Sequence, residues 1–115
     1  MVIPHDAPSA AELVQSVREW LQADALAVED VRFQYLTRVA INALSIVERE
    51  LEMGAQQTAA HEQRLHTLGV ADDAALAAAI RSGELDDRMD EVRTLVWESV
   101  RDKLAVANPK YLASP

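Results

Sequence analysis

Apolar residues recur along most of the chain three and four positions apart, which is the spacing of one face of an α-helix. The first helix is predicted to begin at a capping box, Ser9-Ala10-Ala11-Glu12, and to run to about Ala23. Its apolar face consists of Leu13, Val14, Val17, Trp20 and Leu21. The following stretch, to Asp30, is interpreted as a connection.

The second helix, predicted from Val31 to Met53, has the broadest apolar face and should be the longest and central element. In a helical projection its apolar side chains fall within an arc of about 180°. They are Phe33, Leu36, Val39, Ala40, Ala43, Leu44, Ile46, Val47 and Leu51. Because Gly54 follows, we expect a left-handed cap there. A face this broad predicts contact with at least two other helices.

Three more helices complete the pattern. One is polar and alanine-rich, over residues 55–68, and a short one begins at Asp72 or Asp73 and closes at Gly83. The last follows Asp86-Asp87 and ends at Asn108-Pro109, since proline disfavours helix in the residue before it. We therefore predict an all-α fold, a compact bundle of four to five helices.

The whole chain, residues 1–115, is interpreted as one helical domain with an N-terminal arm over 1–8 and a C-terminal tail over 109–115. Its core is expected to lie at the centres of the apolar faces. The side chains predicted to be buried there are Trp20, Phe33, Leu36, Val47, Val92 and Val96.

Composition supports helix and narrows the function. The chain has 20 alanines, and alanine is the best helix former. It has no cysteine, which excludes a disulfide scaffold, a thiol nucleophile and a thiolate zinc site. Its net charge of −8 argues against nucleic acid or an anionic membrane surface as partner. No segment approaches the roughly 20 apolar residues of a membrane span, and we predict a cytoplasmic protein.

Two motifs suggest metal chemistry at first sight. His61 and His66 are five positions apart, about 140° around a helix, whereas a helical zinc motif needs a spacing of four. The residue pattern of an aspartate-rich motif that isoprenoid diphosphate enzymes use occurs at Asp86-Asp87-Arg88-Met89-Asp90. The chain is short, however, and lacks a second acidic motif. Acidic residues also favour a helix start. We predict no metal, no cofactor and no catalytic residue.

Two polar features remain as candidate binding sites. Arg38, Asn42, Ser45 and Arg49 form one stripe beside the apolar arc of the second helix, where they could clamp a carboxylate or phosphate or form internal ion pairs. Glu50 and Lys103 fall on apolar sides of their helices and must pair, snorkel or lie at a helix end. Binding is assigned to Arg38, Asn42, Arg49 and Lys103.

Three blocks of sequence resemble a bacterial family of unknown function. They are residues 5–13, His5 to Leu13; residues 38–51, with Arg38-Val39-Ala40-Ile41-Asn42-Ala43-Leu44 and Val47-Glu48-Arg49-Glu50-Leu51; and residues 102–112, Asp102 to Leu112. Members of that family are often encoded beside acyl-CoA dehydrogenases and aminoglycoside-phosphotransferase-like kinases. The resemblance implies a supporting role in acyl-CoA or hydroxy-acid catabolism and supplies no catalytic residue.

The leading hypothesis is a non-catalytic accessory protein that binds such a kinase or acyl-CoA-metabolising enzyme. The alternative is a small-molecule binding module for an acyl or phosphorylated anionic ligand. Catalysis ranks third, and association into a homo-oligomer is left open.

Overall fold

A computed structural model describes residues 8–113 and contains five α-helices and no strand within them. The helices are α1 (Ala10–Trp20), α2 (Val31–Thr67), α3 (Asp73–Ser82), α4 (Met89–Ala107) and α5 (Pro109–Ala113). The predicted all-α fold of four to five helices is confirmed. Most of the predicted N-terminal arm and the last two residues of the predicted tail lie outside the described range.

The predicted capping box begins α1. The Ser9 amide donates to Glu12 Oε1 at 3.0 Å, and the Glu12 amide donates to Ser9 Oγ at 3.1 Å. Two amides that a helix start leaves without partners are thereby satisfied. Beyond Trp20 the chain continues as a π-helical segment, Leu21–Ala25, close to the predicted helix end at Ala23.

The predicted break at Gly54 is wrong, because α2 continues through it for 37 residues. Gly54 is buried within the helix, and its φ is not positive. Glycine in a helix interior costs only about 1 kcal/mol relative to alanine, and the neighbouring residues on both sides are good helix formers. The two helices predicted over residues 31–68 are therefore one, and α2 is the longest element, as predicted.

Left-handed glycines end α2 and α3. Gly69 has a φ of 75° and Gly83 a φ of 86°. The Val70 amide donates to the Leu65 carbonyl at 3.0 Å, and the Glu84 amide donates to the Ala79 carbonyl at 3.1 Å. These bonds reach back across the helix end as in a Schellman motif. The predicted closure of the short helix at Gly83 is confirmed.

The chain divides into two compact units, unit 1 ending at Glu52 and unit 2 beginning at Met53. Unit 1 contains α1 and the first part of α2, and unit 2 contains the rest of α2 with α3, α4 and α5. The interpretation of residues 1–115 as a single domain stays a prediction.

A buried cluster lies in unit 2, where α2 ends and α3 and α4 follow. Its members are Leu65, Leu68, Leu76, Ala79, Leu85 and Val92, with Val70, Met89 and Leu95 packed against them. Of the six predicted core residues only Val92 is buried, at 3% exposure. The burial predicted for the other five, Trp20, Phe33, Leu36, Val47 and Val96, is wrong. Their faces are apolar, but the described residues do not cover them.

Within the described residues, no helix combines the length and apolar composition that crossing a bilayer requires.

Candidate functional site

In unit 1 an ion pair holds α1 against one flank of α2. Arg18 Nε pairs with Glu48 Oε1, and Arg18 Nη2 donates to Glu48 Oε2 at 3.2 Å. The hydrogen bonds that Arg18 donates to the Glu48 carboxylate raise the pKa of Arg18. Both side chains are largely shielded, and planar bidentate pairs of this kind fix orientation as well as add energy. The Arg18–Glu48 pair thus sets which face of each helix is left open.

The open face of α1 is apolar. Leu13, Val17 and Trp20 are spaced i, i+4 and i+7, so they lie within an arc of about 60°. All three are exposed, and Trp20 is 56% exposed. We call these three residues the α1 stripe. Large apolar side chains exposed side by side mark interaction surfaces more often than isolated ones do.

The open face of α2 is also apolar. Leu36 is 49% and Val39 50% exposed, and Val47 lies on the same side of the helix. Glu48, which receives α1, is displaced by about 120° from Leu36 around the helix axis. The side of α2 that α1 occupies is therefore different from the side that carries these exposed residues.

The predicted polar stripe keeps its alignment, because α2 is continuous over all of its members. Arg38 and Asn42 are exposed, and Arg49 is half-buried and has an interaction partner. The Ser45 hydroxyl donates to the Ile41 carbonyl at 2.9 Å within the helix. Arg38, Asn42 and Arg49 remain binding candidates on one face of α2.

Glu50 and Lys103, which fall on the apolar sides of their helices, are both exposed. Lys103 shares a side of α4 with Val92 and Val96, but exposure along this side increases from Val92, at 3%, to Val96, at 37%. The apolar pattern therefore stops being buried before it reaches Lys103. An exposed lysine needs no partner charge within the chain, and the assignment of Lys103 to binding stays a prediction.

Unit 2 contains a polar cluster that sequence reasoning missed. His61 Nδ1 lies 2.7 Å from Ser99 Oγ, and His61 Nε2 lies 2.7 Å from Asp73 Oδ1. Arg64 Nη1 donates to Ser99 Oγ at 3.0 Å and to Asp102 Oδ2 at 3.1 Å. These five side chains, which we call the histidine cluster, join α2, α3 and α4.

Further bonds extend the same contact. Arg64 Nε lies 3.3 Å from Glu98 Oε2, and Gln57 Nε2 donates to the Asp102 carbonyl at 2.8 Å. One signal could have revealed the histidine cluster. His61 and Arg64 are three apart on one helix, as are Ser99 and Asp102 on another, so each pair lies on one helix face.

In the histidine cluster a hydroxyl, an imidazole and a carboxylate are hydrogen-bonded in a row. With the proton on Nε2, His61 donates to Asp73 and accepts from the Ser99 hydroxyl, so each group is satisfied. Ser–His–Asp hydrolases share this connectivity but add amide donors for the oxyanion. Here Ser99 lies within α4, whose amides are used in the helix, and the Asp73 side chain is 73% exposed. We assign the histidine cluster to holding α2, α3 and α4 together.

The two motifs considered for metals have other contacts. His61 belongs to the histidine cluster, while His66 is exposed. In the acidic segment Arg88 pairs with Glu91 and donates from Nη2 to the Thr67 carbonyl at 3.0 Å, where it caps the end of α2. Among residues 8–113, no three His, Asp or Glu side chains are grouped as a metal site requires.

Comparison with known proteins identifies a family. No curated protein and no solved structure matches the chain. Residues 27–111 match the family described as a domain of unknown function, DUF6285. The matched part contains α2, α3, α4 and the first three residues of α5, and thus the histidine cluster and the open face of α2. Because the match covers well over half of its residues, the chain belongs to the DUF6285 family.

Proposed function

We propose that the protein is a non-catalytic accessory protein that binds and supports a partner enzyme in the cytoplasm. The observation that carries the proposal is the α1 stripe, an exposed row of large apolar side chains on a helix held by the Arg18–Glu48 pair. Anchors at i, i+4 and i+7 are typical of an amphipathic helix that binds in the apolar groove of another protein.

The partner's groove should be apolar at its centre and basic at its rim. Trp20 is the largest anchor of the α1 stripe, and aromatic side chains dominate the energetics of such contacts. Glu12 and Glu19 lie on the same helix, and the chain as a whole is acidic. Basic residues around the groove would complement them and speed association.

For the identity of the partner we propose a kinase of the aminoglycoside-phosphotransferase type, with an acyl-CoA dehydrogenase as the second choice. Support comes from the resemblance of the sequence blocks to a family often encoded beside such enzymes. The α1 stripe adds a surface by which an enzyme could be bound.

Co-purification tests the proposal. The chain is co-expressed with a kinase of the aminoglycoside-phosphotransferase type or with an acyl-CoA dehydrogenase from the same organism, and the complex is isolated by a tag on the enzyme. We expect Trp20→Ala to reduce the recovered chain at least about tenfold, since an anchor of this kind contributes about 2 kcal/mol or more. Trp97→Ala is the matched control, because Trp97 is similarly exposed but lies on α4.

Circular dichroism must show that both variants fold. Recovery that is equal for Trp20→Ala and wild type would overturn the role of the α1 stripe. The absence of a complex with either enzyme would overturn the choice of partner.

A second candidate function is an anion-binding module. It is favoured by the alignment of Arg38, Asn42 and Arg49 along one face of a continuous helix. Titration with acetyl-CoA and with inorganic phosphate, followed by calorimetry, tests it. Binding that Arg38→Ala abolishes without lowering the melting temperature would support this function over a docking role.

A further inference from the structure

A symmetric seam of side chains runs along the open face of α2. Its members are alternately four and three residues apart, the spacing that keeps one side of a helix facing a partner helix. From first to last they are Arg32, Leu36, Val39, Ala43, Ile46 and Glu50. Ile46 is half-buried and the other five are exposed. The two charges stand at opposite ends of an otherwise apolar seam.

The seam is complementary to an inverted copy of itself, because its positions are placed symmetrically about its centre. Arg32 and Glu50 are equally far from Ile41, as are Leu36 and Ile46, and Val39 and Ala43. In an antiparallel pair of helices each position meets the position equally far on the other side of the centre. Each copy would thus set its arginine against the other copy's glutamate, at both ends.

The charges also favour an antiparallel second copy of the chain as the partner of this seam. Arg32 and Glu50 have no ion-pair partner within residues 8–113. Two helices in parallel would place arginine against arginine and glutamate against glutamate, which is unfavourable. The antiparallel arrangement forms two complementary pairs. It also gives a reason for the position of Glu50 among apolar residues, which the contacts among residues 8–113 do not.

The size of the seam indicates how strongly two copies of the chain should associate. From Arg32 to Glu50 the helix is about 27 Å long at 1.5 Å per residue. Two faces of this length, with Phe33 and Val47 at their edges, would bury on the order of 1,000 Å² in total, the lower limit for a specific interface. Near the centre Val39 of one copy would meet Ala43 of the other, and these side chains are small enough to let the two helices approach closely.

We propose that α2 pairs antiparallel with α2 of a second copy of the chain, around a two-fold axis level with Ile41 along the helix, with Arg32 of each copy bound to Glu50 of the other. This goes beyond the proposed function, since it uses α2 and leaves the α1 stripe open. We expect a weak dimer, with a dissociation constant on the order of micromolar, because the interface is at the small end for a specific contact.

A charge swap tests the pairing in the full-length chain. Sedimentation equilibrium over a wide concentration range should show a monomer and dimer for the wild type. Arg32→Glu sets two carboxylates against each other at each end, and Glu50→Arg does the same with two guanidinium groups. We expect each single variant to weaken the dimer at least about tenfold and the double variant Arg32→Glu/Glu50→Arg to restore it.

Matched controls use the same charge changes away from the seam. Arg38→Glu and Glu52→Arg lie on exposed positions of α2, roughly opposite Leu36, and should leave the dimer unchanged. A chain that stays monomeric at every concentration overturns the proposal. A double variant as weak as the single ones overturns the antiparallel pairing. Loss of the dimer in Trp20→Ala would show that the α1 stripe, and not α2, forms the contact.

Discussion

At the scale of single residues, backbone conformation decides where helices end. Gly69 and Gly83 adopt positive φ angles and terminate α2 and α3, whereas Gly54 stays helical inside α2. The residue type is the same at all three sites. What differs is the hydrogen bonding of the residue that follows the glycine. The amides of Val70 and Glu84 donate to carbonyls of the preceding helical turn, which stabilises a left-handed helix end.

We predict that Gly83→Ala destabilises the fold more than Gly69→Ala does. Both positions impose the cost of a left-handed alanine, about 1 kcal/mol. At Gly83 an added Cβ would also lie 3.1 Å from Asp86 Oδ2, whereas at Gly69 nothing lies within 4 Å. Urea denaturation measures both variants. Equal losses would mean that the Asp86 side chain moves aside without cost.

The capping box predicts a pH dependence at the start of α1. The hydrogen bond from the Ser9 amide lowers the pKa of Glu12 below its ordinary 4.5. A lowered folded-state pKa stabilises the helix start fully above pH 4.5, and this contribution is lost as the pH falls through the folded pKa. Amide chemical shifts of residues 9–12 should follow that transition. Glu12→Gln keeps the acceptor but should remove the pH dependence.

At the scale of elements, amphipathic faces determine what each helix can pack against. The apolar arc predicted for α2 lies on one continuous helix, but its Leu36 side is exposed, whereas Leu65 and Leu68, at the C-terminal end of α2, are buried. The periodicity of a sequence shows that a face is apolar. It does not show whether another element covers that face, because this depends on where the neighbouring helices lie.

We predict a contrast between two leucines. Leu76→Ala should destabilise unit 2 by about 2–5 kcal/mol, since Leu76 belongs to the buried cluster. Leu36→Ala should change stability by less than about 1 kcal/mol at low protein concentration, because Leu36 is half exposed. Thermal or chemical denaturation measures both. A larger loss for Leu36 would place it in a core under those conditions.

The histidine cluster predicts a second contrast, between two arginines. Arg64 has only 17% of its side chain exposed and contacts Glu98, Ser99 and Asp102. Arg64→Ala should cost about 1–3 kcal/mol, because it leaves carboxylates without their partner. The exposed Arg93 pairs with Asp90 at 3.6 Å, and Arg93→Ala should cost less than about 0.5 kcal/mol. Similar values would make the histidine cluster a surface feature.

At the scale of the whole molecule, the proposed dimer links association to stability. Because a second copy would bind the folded chain, the melting temperature of the wild type should rise with protein concentration. Arg32→Glu should flatten this dependence and Arg38→Glu should not. Differential scanning calorimetry at several concentrations measures it. A melting temperature that is independent of concentration in the wild type would contradict the dimer.

The sequence by itself determined most of the helices and most of their ends, although the predicted tail contains α5. Ser9 with Glu12, Asp72 and Gly83 act through bonds to residues a few positions away, so local pattern suffices to find them. The apolar faces could be predicted for a similar reason, because they depend only on the spacing of residues within one helix. The end of the second predicted helix was missed, since glycine alone does not distinguish a cap from a tolerated interior position.

Only the tertiary structure decided which faces are buried and which polar groups meet. Ser99 and His61 are 38 residues apart, and Glu48 and Arg18 are 30 apart. Such contacts depend on how helices are placed after they form, and helical periodicity carries no information about that placement. The same reason leaves Trp20 and Leu36 exposed although their pattern is that of a core: burial is a property of two surfaces, and the sequence of one helix describes only its own.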